Sequence, residues 1–242
     1  MKKMTVLLTA LLLAAAAANA EPLELLQELE KTVTVPLSGE HVYVYHYSYP
    51  QVKETEEAAA VINAFYRYEA EDAAAFEIPM NADYYRQQDG QEDVSVEITG
   101  QVTCNSDEFF SVLMTTAQDD FVSYAGNTFS RLDMKPGSTV ALPRLLGLLD
   151  SSESDSWLED RQTEKADRLV REMVWRRLLE AEDVTLAEGF TEENLNHGFF
   201  PEEDFYLDGT GNPVFFLQPG FAEESSRLLI FPISIAEILD EM

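Results

Sequence analysis

The sequence predicts an α+β fold in which an antiparallel β-sheet, made of a meander and a C-terminal hairpin, packs with two main helices. Three observations predict it. Strand-like alternation and helix-like periodicity occupy separate blocks of the chain. Three alternating runs between Val94 and Asp133 follow one another across short polar turns, the spacing of a meander. Two longer segments, near 54–75 and 156–181, repeat apolar residues at three- and four-residue steps.

The elements are justified in chain order. Lys31–Leu37 alternates through Val33 and Val35, and Ser38-Gly39-Glu40 is a turn signal. His41–Tyr49 is a second strand, closed by Pro50, which cannot donate to a ladder. Ala58, Val61, Ile62, Phe65 and Tyr66 give the first helix its apolar stripe, and Asn81–Gly90 reads as a polar, turn-rich segment. Val94–Val102 alternates with Ser95, Glu97, Thr99 and Gln101, a strand with one wet face. Phe109–Ala117 and Phe121–Asp133 complete the meander. A short helix is expected near Leu145–Leu149. The long helix opens on Ser156-Trp157-Leu158-Glu159, a capping box in which hydroxyl and carboxylate each satisfy a free backbone N–H. Its inner stripe is Leu158, Ala166, Leu169, Val170, Met173, Val174 and Leu178, and Asp167–Arg171 belongs to the wet-side pairs four residues apart. A short helix at Thr191–Asn196, the strands Phe205–Leu207 and Val214–Leu217 around a long loop, a strand at Leu228–Ile233 and a helical turn at Ser234–Glu241 close the chain.

Residues 1–20 read as a cleavable signal peptide: Lys2-Lys3, an apolar run from Met4 to Ala18, and the small-x-small triplet Ala18-Asn19-Ala20. The expected mature protein starts at Glu21 and is periplasmic or extracellular, with no later segment of the length of a membrane span. Residues 21–242 suit one domain or two intimately packed halves, about 21–118 and 119–242. Loss of Lys2 and Lys3 takes the net charge from −29 to −31. Such a chain excludes nucleic acid, whose phosphates need Lys and Arg, and attracts basic proteins. The single cysteine, Cys104, rules out an internal disulfide and falls in a strand pattern, where a buried apolar role is expected.

No catalytic, cofactor or metal site is predicted. His41 and His46 point to opposite faces of one strand, and His197 lies in a polar loop. There is no HExxH, no cysteine pair and no G-x-S-x-G turn. Asp208-Gly209-Thr210-Gly211-Asn212 lacks most calcium-loop ligands and reads as a hairpin turn. Among 45 acidic residues no carboxylate pair can be singled out, so a carboxylate-only glycan or cell-wall hydrolase stays open as an alternative, as does a purely structural envelope protein. Tyr43, Tyr45, Tyr47 and Tyr49 alternate along one strand and form the single aromatic row visible in the sequence. They read either as a partner-binding surface or, by default, as rings packed beneath the first helix with their hydroxyls at the rim.

The order of motifs resembles the RsiV-like extracytoplasmic domain family. The matching features are Tyr49-Pro50, Val61-Ile62-Asn63, Leu132-Asp133-x-x-x-Gly137-x-x-Val140-x-Leu142, Phe205-Tyr206-Leu207 with Gly211, Val214-Phe215-Phe216 and Phe231-Pro232-Ile233. The family includes anti-sigma factor ectodomains and the non-catalytic module of PdaC-type peptidoglycan deacetylases. The resemblance implies this fold in a non-catalytic module and, in one branch, binding of lysozyme; the expected function is a non-enzymatic binding module for such a cationic protein or for a cell-wall component. The sequence departs from the family at Tyr124-Ala125-Gly126-Asn127 and at Gln218-Pro219-Gly220-Phe221-Ala222.

Overall fold

The computed structural model describes residues 21–88, 92–132, 135–149, 156–222 and 227–242, with backbone alone for 156–159. The expected signal peptide, Asp133 and the side chains of the Ser156–Glu159 capping box lie outside the described residues. Five strands form the larger sheet: β1 (Leu29–Pro36), β2 (Val42–Tyr49), β3 (Val94–Asn105), β4 (Phe109–Gln118) and β5 (Phe121–Ser130), in that order across it. β3, β4 and β5 are the expected antiparallel meander. The sheet as a whole is mixed, because β2 pairs with β3 in parallel. A parallel neighbour needs a crossover connection, and residues 50–93 supply one through a helix.

That helix runs further than its periodicity predicts. α1 (Glu57–Asp72) passes through a π-helical turn (Ala73–Glu77) into α2 (Ile78–Gln87), so the stretch read as polar turn is largely helical. Pro79 is the physical reason for the wide turn. It lacks an N–H, and its ring crowds the carbonyl four residues back in a regular helix. The chain opens by one residue just before it, and Ile78 N–H donates to the Ala73 carbonyl, five residues away.

The helix seals one face of the sheet. Ala59, Ile62, Tyr66, Ala70, Ala73, Ile78 and Ala82 pack on Tyr43, Tyr45, Tyr47, Tyr49, Val96, Phe110, Val112 and Phe129. The other face stays wet along β3, where Ser95, Glu97, Thr99 and Gln101 are exposed. At the β4–β5 end it is covered by a three-stranded antiparallel sheet, β6 (Phe205–Leu207), β7 (Pro213–Leu217) and β8 (Leu229–Pro232). Around that sheet a second core gathers α3 (Leu142–Leu145), α4 (Ser156–Glu180), α5 (Glu192–Gly198) and α6 (Ile235–Glu241). The stripe Ala166, Val170, Met173, Val174 and Leu178 of α4 is buried there, as is Cys104.

The two sheets meet without a spacer at Gly126. A Cβ on this residue would stand 1.6 Å from the Phe205 carbonyl oxygen, so only glycine lets the β6 backbone lie against β5. Beside it, Ser111 Oγ accepts from Leu207 N–H at 3.0 Å and pairs with Thr128 Oγ1 at 2.9 Å. Gly126→Ala should therefore destabilise the protein by about 3 kcal/mol, the upper end of overpacking costs. Gly209→Ala, whose Cβ meets nothing within 4 Å, should stay within about 0.5 kcal/mol of the parent. Urea unfolding of both variants checks the contrast; equal stability would mean the seam does not depend on Gly126.

Candidate functional site

The tyrosine row is core. Tyr43 and Tyr45 have no exposed area, and Tyr47 and Tyr49 retain 4% and 5%. Tyr49 stacks on Tyr66 of α1 with ring centroids 5.5 Å apart, and Tyr43 stacks on Tyr85 of α2. The hydroxyls end at the rim, where Tyr45 donates to Glu77 at 3.3 Å and Asn81 donates to the Tyr43 hydroxyl at 3.4 Å. Burial pushes the Tyr43, Tyr45 and Tyr49 hydroxyls above their ordinary pKa. The expectation that Tyr43, Tyr45, Tyr47 and Tyr49 offer a contact surface is thus corrected. A helix long enough to span the strand covers them.

The same helix exposes an aromatic row that the periodicity did not single out. Its inward residues run Ala59, Ile62, Tyr66, Ala70 and Ala73 at three- and four-residue steps, then jump five to Ile78 and four to Ala82. An unbroken α-helix would carry the inward face through positions 77, 80 and 84. The extra residue in the π turn moves it to 78 and 82. Phe76, Met80 and Tyr84 consequently stand outward in a line, 69%, 66% and 57% exposed, with Tyr68 exposed one turn before the π turn. Spacing of four residues between 76, 80 and 84 was the available signal. The polar, turn-rich composition of Asn81–Gly90 conceals it.

This stretch of helix is also one-sided in charge. From Tyr68 to Tyr85 the sequence holds Glu69, Glu71, Asp72, Glu77 and Asp83 and no Lys or Arg. The Glu69 carboxyl is pushed above its ordinary pKa by partial burial and then by Asp72 and Glu77. Among the described residues one of these acids is paired with a cation, Asp83 with Arg86 at 2.5 Å.

A cleft of about 500 Å³ lies at the seam between the sheets, lined by Gly126, Asn127 and Thr128 of β5, by Val140, Ala141 and Arg144, and by Glu202, Glu203 and Phe205. Behind it the structure does bring two carboxyl groups together. Asp167 of α4, 5% exposed, hydrogen-bonds to Glu202. That bond requires a proton between the two groups, and Asp167 Oδ1 and Glu202 Oε2 meet no protein donor. Burial, then Glu202, raises Asp167 to about 8, although Arg171 Nη2 stands 3.8 Å from Asp167 Oδ2. Asp167 is therefore no wet-side half of a surface ion pair: the chain after α5 folds over it. Asp204 is raised to about 6, chiefly by burial, while it accepts from Phe200 N–H at 2.8 Å. The two stretches that depart from the RsiV-like pattern also meet here. Gln218 Oε1 accepts from Tyr124 N–H at 2.9 Å and its Nε2 donates to Tyr124 O at 2.8 Å.

The remaining candidates are structural. Cys104 is buried, His197 Nδ1 lies 2.8 Å from the Glu193 carbonyl, and Asp208 Oδ1 caps Thr210 and Asn212 N–H within its hairpin loop. Among the described residues, no three His, Cys, Asp or Glu side chains are placed to hold a metal ion, and no helix is long and apolar enough to cross a membrane.

No protein-family model matches the sequence, and no curated protein matches it. Solved structures do. A member of the DUF3298 family from Bacteroides fragilis aligns with a TM-score of 0.58 and 11% identity, over 93% of this chain and 94% of its own. A DUF3298 family protein from Pseudomonas aeruginosa aligns with a TM-score of 0.47 and 10% identity, over 90% of this chain and 94% of its own. What this chain shares with the Bacteroides fragilis protein is the fold, that of the DUF3298 or RsiV-like domain.

The raised carboxyls fix a pH dependence. Unfolded Asp loses its proton near 3.8, whereas folded Asp167 and Asp204 keep theirs to about 8 and about 6. Between these values the native state binds more protons than the unfolded state, so their contribution to stability is present at low pH and falls as pH rises. Asp167→Asn, which donates to Glu202 without a shared proton, should raise stability at pH 8 by roughly 1–3 kcal/mol, the cost of a buried unsatisfied group. The gain should shrink toward pH 4.5. Urea unfolding across that range checks it; a loss of stability at every pH would contradict the shared proton.

Proposed function

We propose that the chain is an exported, non-enzymatic binding module that docks a cationic extracellular protein on the outer face of the helix over residues 68–84, with lysozyme-type enzymes as the first candidates. The observation that carries this is the row Phe76, Met80 and Tyr84, turned outward by the π turn and set among five carboxylates, of which Asp83 is paired with Arg86. Aromatic anchors with an acidic rim suit a basic partner. The acids raise the encounter rate, and the rings supply the affinity that survives salt. Exposed Tyr and Phe faces also accept Lys or Arg cations directly. The RsiV-like resemblance, which has a lysozyme-binding branch, points the same way.

Glycan hydrolysis is less well supported by the one carboxyl pair at hand. Its two groups hydrogen-bond to each other, whereas glycosidase carboxylates stand roughly 5–9.5 Å apart to admit the sugar or a water.

Titration of the protein from Glu21 onward with lysozyme, and with an unrelated protein of equal basicity, tests the proposal. Lysozyme should bind more tightly, and its association should slow as the screening length falls from ~10 Å at 0.1 M salt to ~3 Å at 1 M while a complex remains. Phe76→Ala and Tyr84→Ala should each weaken it by about 2 kcal/mol, roughly 30-fold. Equal binding of both proteins, vanishing together with salt, would reduce the attraction to nonspecific charge.

A further inference from the structure

β5 is an edge strand, and most of its outer edge is completed from within the chain. At one end Val140 N–H donates to the Thr128 carbonyl at 2.8 Å and Ser130 N–H donates to Ser138 at 3.0 Å. At the other, the Gln218 side-chain amide makes both bonds to Tyr124 that a neighbouring strand would make. Bonding at 124, 128 and 130 shows that the even-numbered residues of β5 turn their backbone groups away from β4. Gly126 sits between these caps. Its N–H and C=O turn the same way and meet no partner among the described residues, and Gly126 lines the 500 Å³ cleft.

We propose that this cleft binds an extended peptide through a single-residue β-bridge, its main chain filling the gap in the β5 edge at Gly126 between the Tyr124 and Thr128 caps. Several features of the cleft fit that occupant. A residue of an extended chain offers one acceptor and one donor on the same side, the complement of Gly126. The small side chains of Ala125, Val140 and Ala141 leave the edge approachable. Glu202 and Glu203 against the single Arg144 favour Lys or Arg beside the bound backbone, in a protein whose mature charge is −31. The site is distinct from the helix face proposed for a folded basic protein, so either can fail without the other.

The test uses the ¹⁵N-labelled protein from Glu21 onward and the blocked peptide acetyl-Lys-Val-Lys-Val-Lys-amide. Its titration should shift the Gly126 and Thr128 amide resonances. N-methylation of the peptide backbone should weaken binding at least tenfold, and Glu203→Gln should weaken it several-fold while the spectrum elsewhere stays that of the folded parent. Three results would overturn the proposal: Gly126 unmoved at millimolar peptide, equal affinity for the N-methylated peptide, or stronger binding at these resonances by neutral N,N′-diacetylchitobiose, which would make the cleft a glycan site.

Discussion

The structure depends on one covering problem. β2 presents four tyrosine rings on one face, and rings of that size must be excluded from water by something as long as the strand. The helix that covers them has to continue past Pro79, which a regular α-helix does not tolerate in its interior. The π turn resolves the conflict by inserting one residue ahead of the proline. Insertion keeps Ile78 and Ala82 on the tyrosines and rotates Phe76, Met80 and Tyr84 into solvent. Burial of one aromatic row and exposure of another are two consequences of the same turn, and π turns recur at functional sites.

A second device recurs where backbone would otherwise be left open. Side-chain amides stand in for missing strand neighbours. Asn63 bonds Val52 N–H and C=O at 2.9 and 2.7 Å, Asn105 bonds those of Leu23 at 2.8 and 2.9 Å, and Gln218 those of Tyr124. Cations are used in the same inward-looking way. Arg131 is buried with both nitrogens of its fork on Glu56 and a further bond to the Glu21 carbonyl, and Arg176 and Arg177 tie α4 to Glu241 and Glu237 of α6. Much of the scarce positive charge thus holds the fold together, which leaves the acidic surplus to face outward.

Strands were legible because alternation is local: β1 to β5 each announce themselves within eight to twelve residues. The long helix was legible for the same reason, with its stripe at Ala166, Val170, Met173 and Val174. What the sequence concealed is non-local. The parallel pairing of β2 with β3 depends on a crossover, not on either strand's own pattern. Asp167 looks like half of an exposed ion pair until Glu202 arrives from another segment. The cap on β5 depends on Gln218 reaching Tyr124 from 94 residues away. Phe76, Met80 and Tyr84 are a different case. Their spacing was visible, but Pro79 and the polar residues after it mimic a helix end.

The outward row on the helix is the contact surface proposed for a basic protein. Hydroxyl-radical footprinting reads it directly, because Met, Tyr and Phe side chains are oxidised according to their exposure. With lysozyme present, oxidation of Phe76, Met80 and Tyr84 should fall several-fold together, while the exposed Phe121 and Leu132, on other elements, react as before. A complex that leaves Phe76, Met80 and Tyr84 as reactive as in the free protein would contradict the account.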